Sequence, residues 1–209
     1  EEVTEWAEWS GYADGVDKEF FYRLNEGTGT DVDDAFGSQN GIFNAAPTWE
    51  DSDWGAGYGN QTRGTGDTTY FNNSFNINGT TSWTLEFRIN VSSEIDDYVM
   101  TTGADFGAAC SGSTEGILLH RPASNLDFST CDGSTYNTAS PSVSSNQIYH
   151  FVWVYERNNC GIYQDGVLVS NYSTCAVGTA ADGSSSENMM WFNRWGSKSG
   201  RYRSDCILE

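Results

Sequence analysis

Basic residues are scarce in this chain: Lys and Arg total 10 against 29 Asp and Glu, a formal net charge of -19 over 209 residues. A surface of that sign repels phosphates and anionic headgroups, which excludes nucleic acid and anionic membranes as partners. Long hydrophobic runs are missing too, so no segment reaches the length of a membrane span and no membrane insertion is expected. The first residues, Glu1 to Glu5, lack the basic and apolar regions of a signal peptide, and Glu1 is expected to be a processed start. Proline is sparse at 3 residues, whereas glycine reaches 23 and aromatics 14%. With Ser, Thr and Asn spread throughout, that composition describes many short strands joined by wide polar loops, not helices. Histidine occurs twice, at His120 and His150, in no triad or elbow context, which leaves serine-nucleophile chemistry without a base.

The five cysteines, Cys110, Cys131, Cys160, Cys175 and Cys206, show neither CxxC spacing nor interleaved histidines, so disulfides are expected in place of zinc. Cys110 is expected to pair with Cys131 and Cys160 with Cys175, the second pair bracketing a hairpin. Cys206 is left as a buried thiol or half of an intermolecular bond. Sequons stand at Asn60, Asn72, Asn78, Asn90 and Asn171. Disulfides and sequons together point outward, to an extracellular space, a cell surface or a virion surface.

Periodicity supplies the fold class. Trp83, Leu85, Phe87 and Ile89 alternate with Thr84, Glu86 and Arg88 in the period of two that a half-buried strand needs. From Ile148 to Tyr155 the run is apolar or aromatic at nearly every position, which predicts a central strand covered on both faces. Asp165-Gly166 supplies the positive φ angles of a type I′ turn, predicting that Ile162 to Gln164 pairs with Val167 to Val169. Further strands are predicted at 20–24, 41–43, 68–71, 98–101, 116–120, 126–129, 189–192 and 206–209, roughly twelve in all. The expected class is all-β, an antiparallel sandwich forming one domain over 19–209, preceded by an aromatic lead-in at 1–18 that carries Trp6, Trp9 and Tyr12.

Taken in order, Tyr22 to Gly29, Asp34 to Gly41, Ser82 to Ile89, Tyr149 to Tyr155 and Gly161 to Val169 resemble the laminin-G-like branch of the concanavalin A-like lectin and glucanase superfamily, pentraxins included. The resemblance implies a two-sheet jelly-roll sandwich, used in that superfamily mainly to bind glycans or proteins, often with calcium. Glu94-Ile95-Asp96 looks like the start of the acid motif of related glucanases, but Val99 stands where that motif places its second glutamate. Retaining hydrolysis needs two carboxylates about 5 Å apart, so a glycoside hydrolase is only a remote alternative.

For binding chemistry, the loop with Asp31, Asp33, Asp34, Gln39 and Asn40 gathers the oxygen donors calcium requires, although solvated acids would read the same way. Trp195 beside Asn193 and Arg194, and Trp49 and Trp54 beside Asp51 and Asp53, combine an aromatic platform with hydrogen-bonding groups, as carbohydrate recognition needs. Trp83 and Trp153 are expected in the core, His150 as a sheet histidine, and His120 as a surface or ligand-contacting residue. The function expected is a non-catalytic recognition module whose loops bind a glycan or a surface protein, with a calcium-stabilised loop. The alternative is a structural subunit of a filament, fibre or capsid decoration, self-assembling through residues 1–18 or an open strand edge.

Overall fold

The computed structural model describes residues 20–22, 26–34, 40–43, 48–52, 55–60, 70–72, 79, 82–90, 97–101, 115–122, 124–145, 147–178, 189–191 and 206–208. The described elements are β1 (Phe20–Tyr22), β2 (Asp31–Val32), β3 (Gly41–Phe43), β4 (Thr48–Ser52), β5 (Gly55–Asn60), β6 (Tyr70–Asn72), β7 (Trp83–Asn90), β8 (Asp97–Thr101), β9 (Glu115–Arg121), β10 (Asp127–Asp132), β11 (Tyr136–Ala139), β12 (Ile148–Glu156), β13 (Asn159–Gln164), β14 (Val167–Tyr172), β15 (Met189–Trp191) and β16 (Cys206–Leu208). No helix occurs among the described residues, and every ladder is antiparallel.

One layer is a six-stranded sheet in the order β1-β16-β7-β12-β13-β14. Against it lie two four-stranded sheets, β11-β10-β9-β8 and β15-β6-β3-β2, which adjoin where β8 meets β15; β4 and β5 form a separate ribbon. The layers meet through aromatic side chains. Phe128 of β10 stacks on Phe87 of β7 at 6.1 Å, and meets Phe151 and Trp153 of β12 at 5.2 and 5.3 Å, the last edge-on. Trp83 stacks on Tyr155 and meets Trp153 edge-on. Each such pair contributes about 0.5–1.5 kcal/mol beyond the area it buries.

Trp83 and Trp153 are therefore both in the core, as their alternation predicts. The run from Ile148 to Glu156, however, is covered on one face only. Tyr149, Phe151, Trp153 and Tyr155 are buried, while His150, Val152 and Val154 on the other face are partly exposed. Apolar valines there mimic two-sided burial in the sequence, because β-branched residues suit any sheet position.

Two turns join β12, β13 and β14. Asp165 and Gly166 have φ of 51° and 80°, as a type I′ turn demands, and Arg157 and Asn158 at the preceding turn have 48° and 68°. The second hairpin departs from the expected register. Gln164 pairs with Val167 and Tyr163 with Leu168, but Ile162 pairs with Ser170 in place of Val169, which is the extra residue of a β-bulge. Cys160 and Cys175 form a disulfide with Cα atoms 5.5 Å apart. It sits under the core, where the Trp153 indole N–H donates to Cys160 Sγ at 3.4 Å. Cys131 is also disulfide-bonded; its expected partner Cys110 lies outside the described residues. Cys206 sits on β16 in register between Tyr22 and Phe87.

Candidate recognition surface

The acidic loop closes on itself through its own carboxylates and amides. Glu26 Oε1 accepts from the Asp33 backbone N–H at 3.0 Å, and Asn40 Oδ1 accepts from the Asp34 N–H at 2.9 Å. Gly27 and Gly29 take φ of 72° and 78°, a left-handed conformation that side chains resist. Burial pushes the Glu26 carboxyl above its ordinary range, the Asp33 N–H and its own backbone N–H pull it back, and the Asp33 charge adds to the rise. Its second oxygen is buried without a hydrogen-bond partner. Asp31 and Asp33 stand in solvent whereas Asp34 is buried, so strand alternation divides the acids between faces. Among the described residues no three His, Cys, Asp or Glu side chains come together as a metal centre would need. Gln39 lies outside the described residues.

Among the described residues, exposed apolar side chains gather on the β13–β14 hairpin. Val167, Leu168 and Val169 are 64%, 48% and 44% exposed, and Tyr163 is 37% exposed. Cys160 and Ile162 point into the core, which puts Gly161 and Tyr163 on the outer face. Tyr163 faces Leu168 and Gly161 faces Asn171 across the ladder. Residues 168 and 171 are three apart and would fall on opposite faces of a regular strand; the bulge at Val169 restores both to the outer one. Asn171 is exposed there, at the free side of the last strand of the sheet.

The turn that carries this hairpin is bolted to β12. Asp165 Oδ1 accepts from the His150 backbone N–H at 3.0 Å, and the Asp165 N–H donates to the His150 carbonyl at 2.8 Å, extending the ladder one step past Phe151 and Gln164. On the same outer face the His150 ring meets Glu86 with Nε2 2.5 Å from Oε1. Glu86 is only 2% exposed and its other oxygen lacks a hydrogen-bond partner, so the histidine satisfies half of a buried carboxylate. His150 is thus the satisfied sheet histidine its position predicts. His120 is partly exposed on β9.

Of the residues expected to contact carbohydrate, Trp54, Asn193, Arg194 and Trp195 lie outside the described residues, and Trp49 is placed only by its register, on β4 opposite Gly59. Among the sequons, Asn60, Asn72 and Asn90 close β5, β6 and β7, Asn171 is exposed on β14, and Asn78 lies outside the described residues. Sequence reasoning passed over Tyr163, Gly161 and Leu168. The signal available was the predicted pairing of Ile162-Tyr163-Gln164 with Val167-Leu168-Val169 about a two-residue turn, which sets large apolar groups on both faces of an end strand.

No family model matches this chain, and no curated protein matches it in sequence. Solved structures do resemble it. The binding domain of botulinum neurotoxin serotype D is similar with a TM-score of 0.63 at 12% identity, over 91% of this chain and 47% of that one. A botulinum neurotoxin type C structure, described as entering cells in dependence upon interaction with two ganglioside molecules, gives 0.51 at 14% identity over 91% and 47%. Trypanosoma rangeli sialidase in complex with sialic acid gives 0.58 at 9% identity over 94% and 31%. The chain spans about half of each toxin chain and about a third of the sialidase. At such identities the likeness is one of fold, and the fold is an all-β antiparallel jelly-roll sandwich.

Proposed function

We propose that this domain is a non-catalytic recognition module that binds carbohydrate outside the cell. The observation that carries the reading is the solvent-exposed Tyr163–Leu168 pair on the outer face of the β13–β14 hairpin, outside the core formed by the described residues. Neighbours of the same fold are named as binding domains, and one is named for its interaction with gangliosides. Binding is favoured over glycoside hydrolysis because Val99 replaces the second glutamate of the glucanase motif. The Cys160–Cys175 disulfide supports an oxidising, extracellular setting. The sequons at Asn60, Asn72, Asn78 and Asn90, with Asn171 as a fifth, fit the same setting as glycosylation acceptors.

Calcium belongs to the proposal through the Glu26 to Asn40 loop, where a cation would relieve the half-buried Glu26 carboxylate. The test is a glycan array probed in calcium and again in chelator. Binding to a defined set of glycans supports the module, and loss of that binding in chelator supports the cation. Failure to bind any glycan in either condition rejects the reading. The open side of β14 favours a second reading, assembly of copies edge to edge. Electron microscopy of the native material showing polymers in place of single particles would select it.

A further inference from the structure

The outer face of β13 and β14 contains a platform that none of the loop residues discussed above contributes to. Two residues along a strand stand about 6.8 Å apart, so an upright Tyr163 ring would keep its carbons well clear of Gly161. It does not stand upright. A Cβ placed on Gly161 would lie 3.4 Å from Cε2 of Tyr163 and 3.7 Å from Cδ1 of Leu168. The glycine thus leaves a shallow floor over which the ring and the leucine methyl lean, with Tyr163 still 37% exposed. Asn171, the cross-strand partner of Gly161, stands exposed at the rim. Its amide both donates and accepts.

We infer that Tyr163, Gly161, Leu168 and Asn171 form a subsite for one neutral pyranose ring, the apolar C–H face of the sugar lying on Tyr163 and its hydroxyls bonding the Asn171 amide. This rests on the carbohydrate reading above and names a place for it. A tyrosine ring supplies apolar area with few rotors to freeze, and the bulge at Val169 puts Asn171 on the same face of the hairpin as Tyr163. The charge of the ligand follows from its surroundings. Asp165 is exposed at the tip of the hairpin, the exposed Arg157 offsets only its neighbour Glu156 at the other end, and the chain carries -19, so an anionic sugar is disfavoured.

The test uses neutral oligosaccharides ending in glucose, galactose or mannose, with sialylated counterparts as a second arm, against the wild type, Tyr163→Phe, Tyr163→Ala and Asn171→Ser. The exposed position of Tyr163 lets all variants fold, which thermal melting verifies. Expected are binding of at least one neutral series by the wild type, retention within about threefold in Tyr163→Phe, loss of about tenfold or more in Tyr163→Ala, and a several-fold loss in Asn171→Ser. Wild-type binding that survives Tyr163→Ala unchanged overturns the subsite while leaving the recognition reading intact. Binding only of sialylated sugars overturns it also. No glycan binding at all removes both. Mass spectrometry that finds an N-glycan on Asn171 in native material overturns the subsite as well, because the attached sugar would cover the platform.

Discussion

Single residues in this protein are held by contacts whose failure has a calculable sign. Gly79 is the tightest: its N–H donates to Gly178 O at 2.9 Å, and a Cβ added there would lie 1.8 Å from the Val177 carbonyl oxygen. Backbone cannot yield as a side-chain tip does, so Gly79→Ala should cost about 3 kcal/mol, read as a lowered urea midpoint at unchanged slope. Glu26 behaves oppositely. A carboxyl raised by burial favours the folded state while protonated and loses that contribution as pH climbs through its folded value, so at neutral pH its ionisation weakens the fold. Glu26→Gln keeps an oxygen for the Asp33 N–H and removes the charge. In chelator it should melt above the wild type at pH 7, with the gap closing below about pH 4.5, the ordinary value of the group. If calcium occupies the loop, adding it should reverse the order at pH 7. Neither residue announces itself in the sequence. Gly79 is one glycine among 23, and the burial of Glu26 depends on contacts that no local pattern encodes.

Elements were legible where the chain states its period and mute where a turn has an unusual composition. β7 follows from strict alternation, and the β13–β14 turn from Asp165-Gly166, whose φ angles are both positive. The β12–β13 turn uses Arg157-Asn158 at positive φ, which arginine seldom adopts, so nothing marked it. β11, with Tyr136, Asn137, Thr138 and Ala139, is polar for a strand. It holds to β10 through side-chain hydroxyls, with Ser129 and Thr138 2.9 Å apart and the Tyr136 hydroxyl donating to Ser129 at 2.9 Å. The bulge at Val169 is legible only in three dimensions, since a ladder with one spare residue looks like a ladder. It also predicts a phenotype. Deleting Val169 leaves Leu168 opposite Tyr163 and Ser170 opposite Ile162, so the hairpin should fold; without its kink the end strand becomes flatter and better able to pair with another copy. Light scattering should then show concentration-dependent association that the wild type lacks.

For the whole molecule, the sandwich and its core were readable, because β7 alternates strictly and the long apolar run of β12 marks a central strand. Composition does not mark a carbohydrate site in the same way, since tryptophan-rich loops and core tryptophans look alike in sequence. Charge acts at this scale. With -19 spread over 209 residues, self-repulsion extends about 30 Å at 0.01 M salt and about 8 Å at 0.15 M. Moving between those conditions should raise the melting temperature by about 2–4 °C, as a gain of about 1 kcal/mol does for a chain of this size. A flat response would mean that the acids are neutralised by bound cations already present at low salt.

The cross-link between Cys160 and Cys175 spans the tip at Asp165-Gly166, an exposed turn where a protease could cut. Nicking there would sever the backbone and leave both fragments tethered through sulfur. Such cleaved material should run as intact protein on a non-reducing gel and separate into two bands only after a thiol reductant is added.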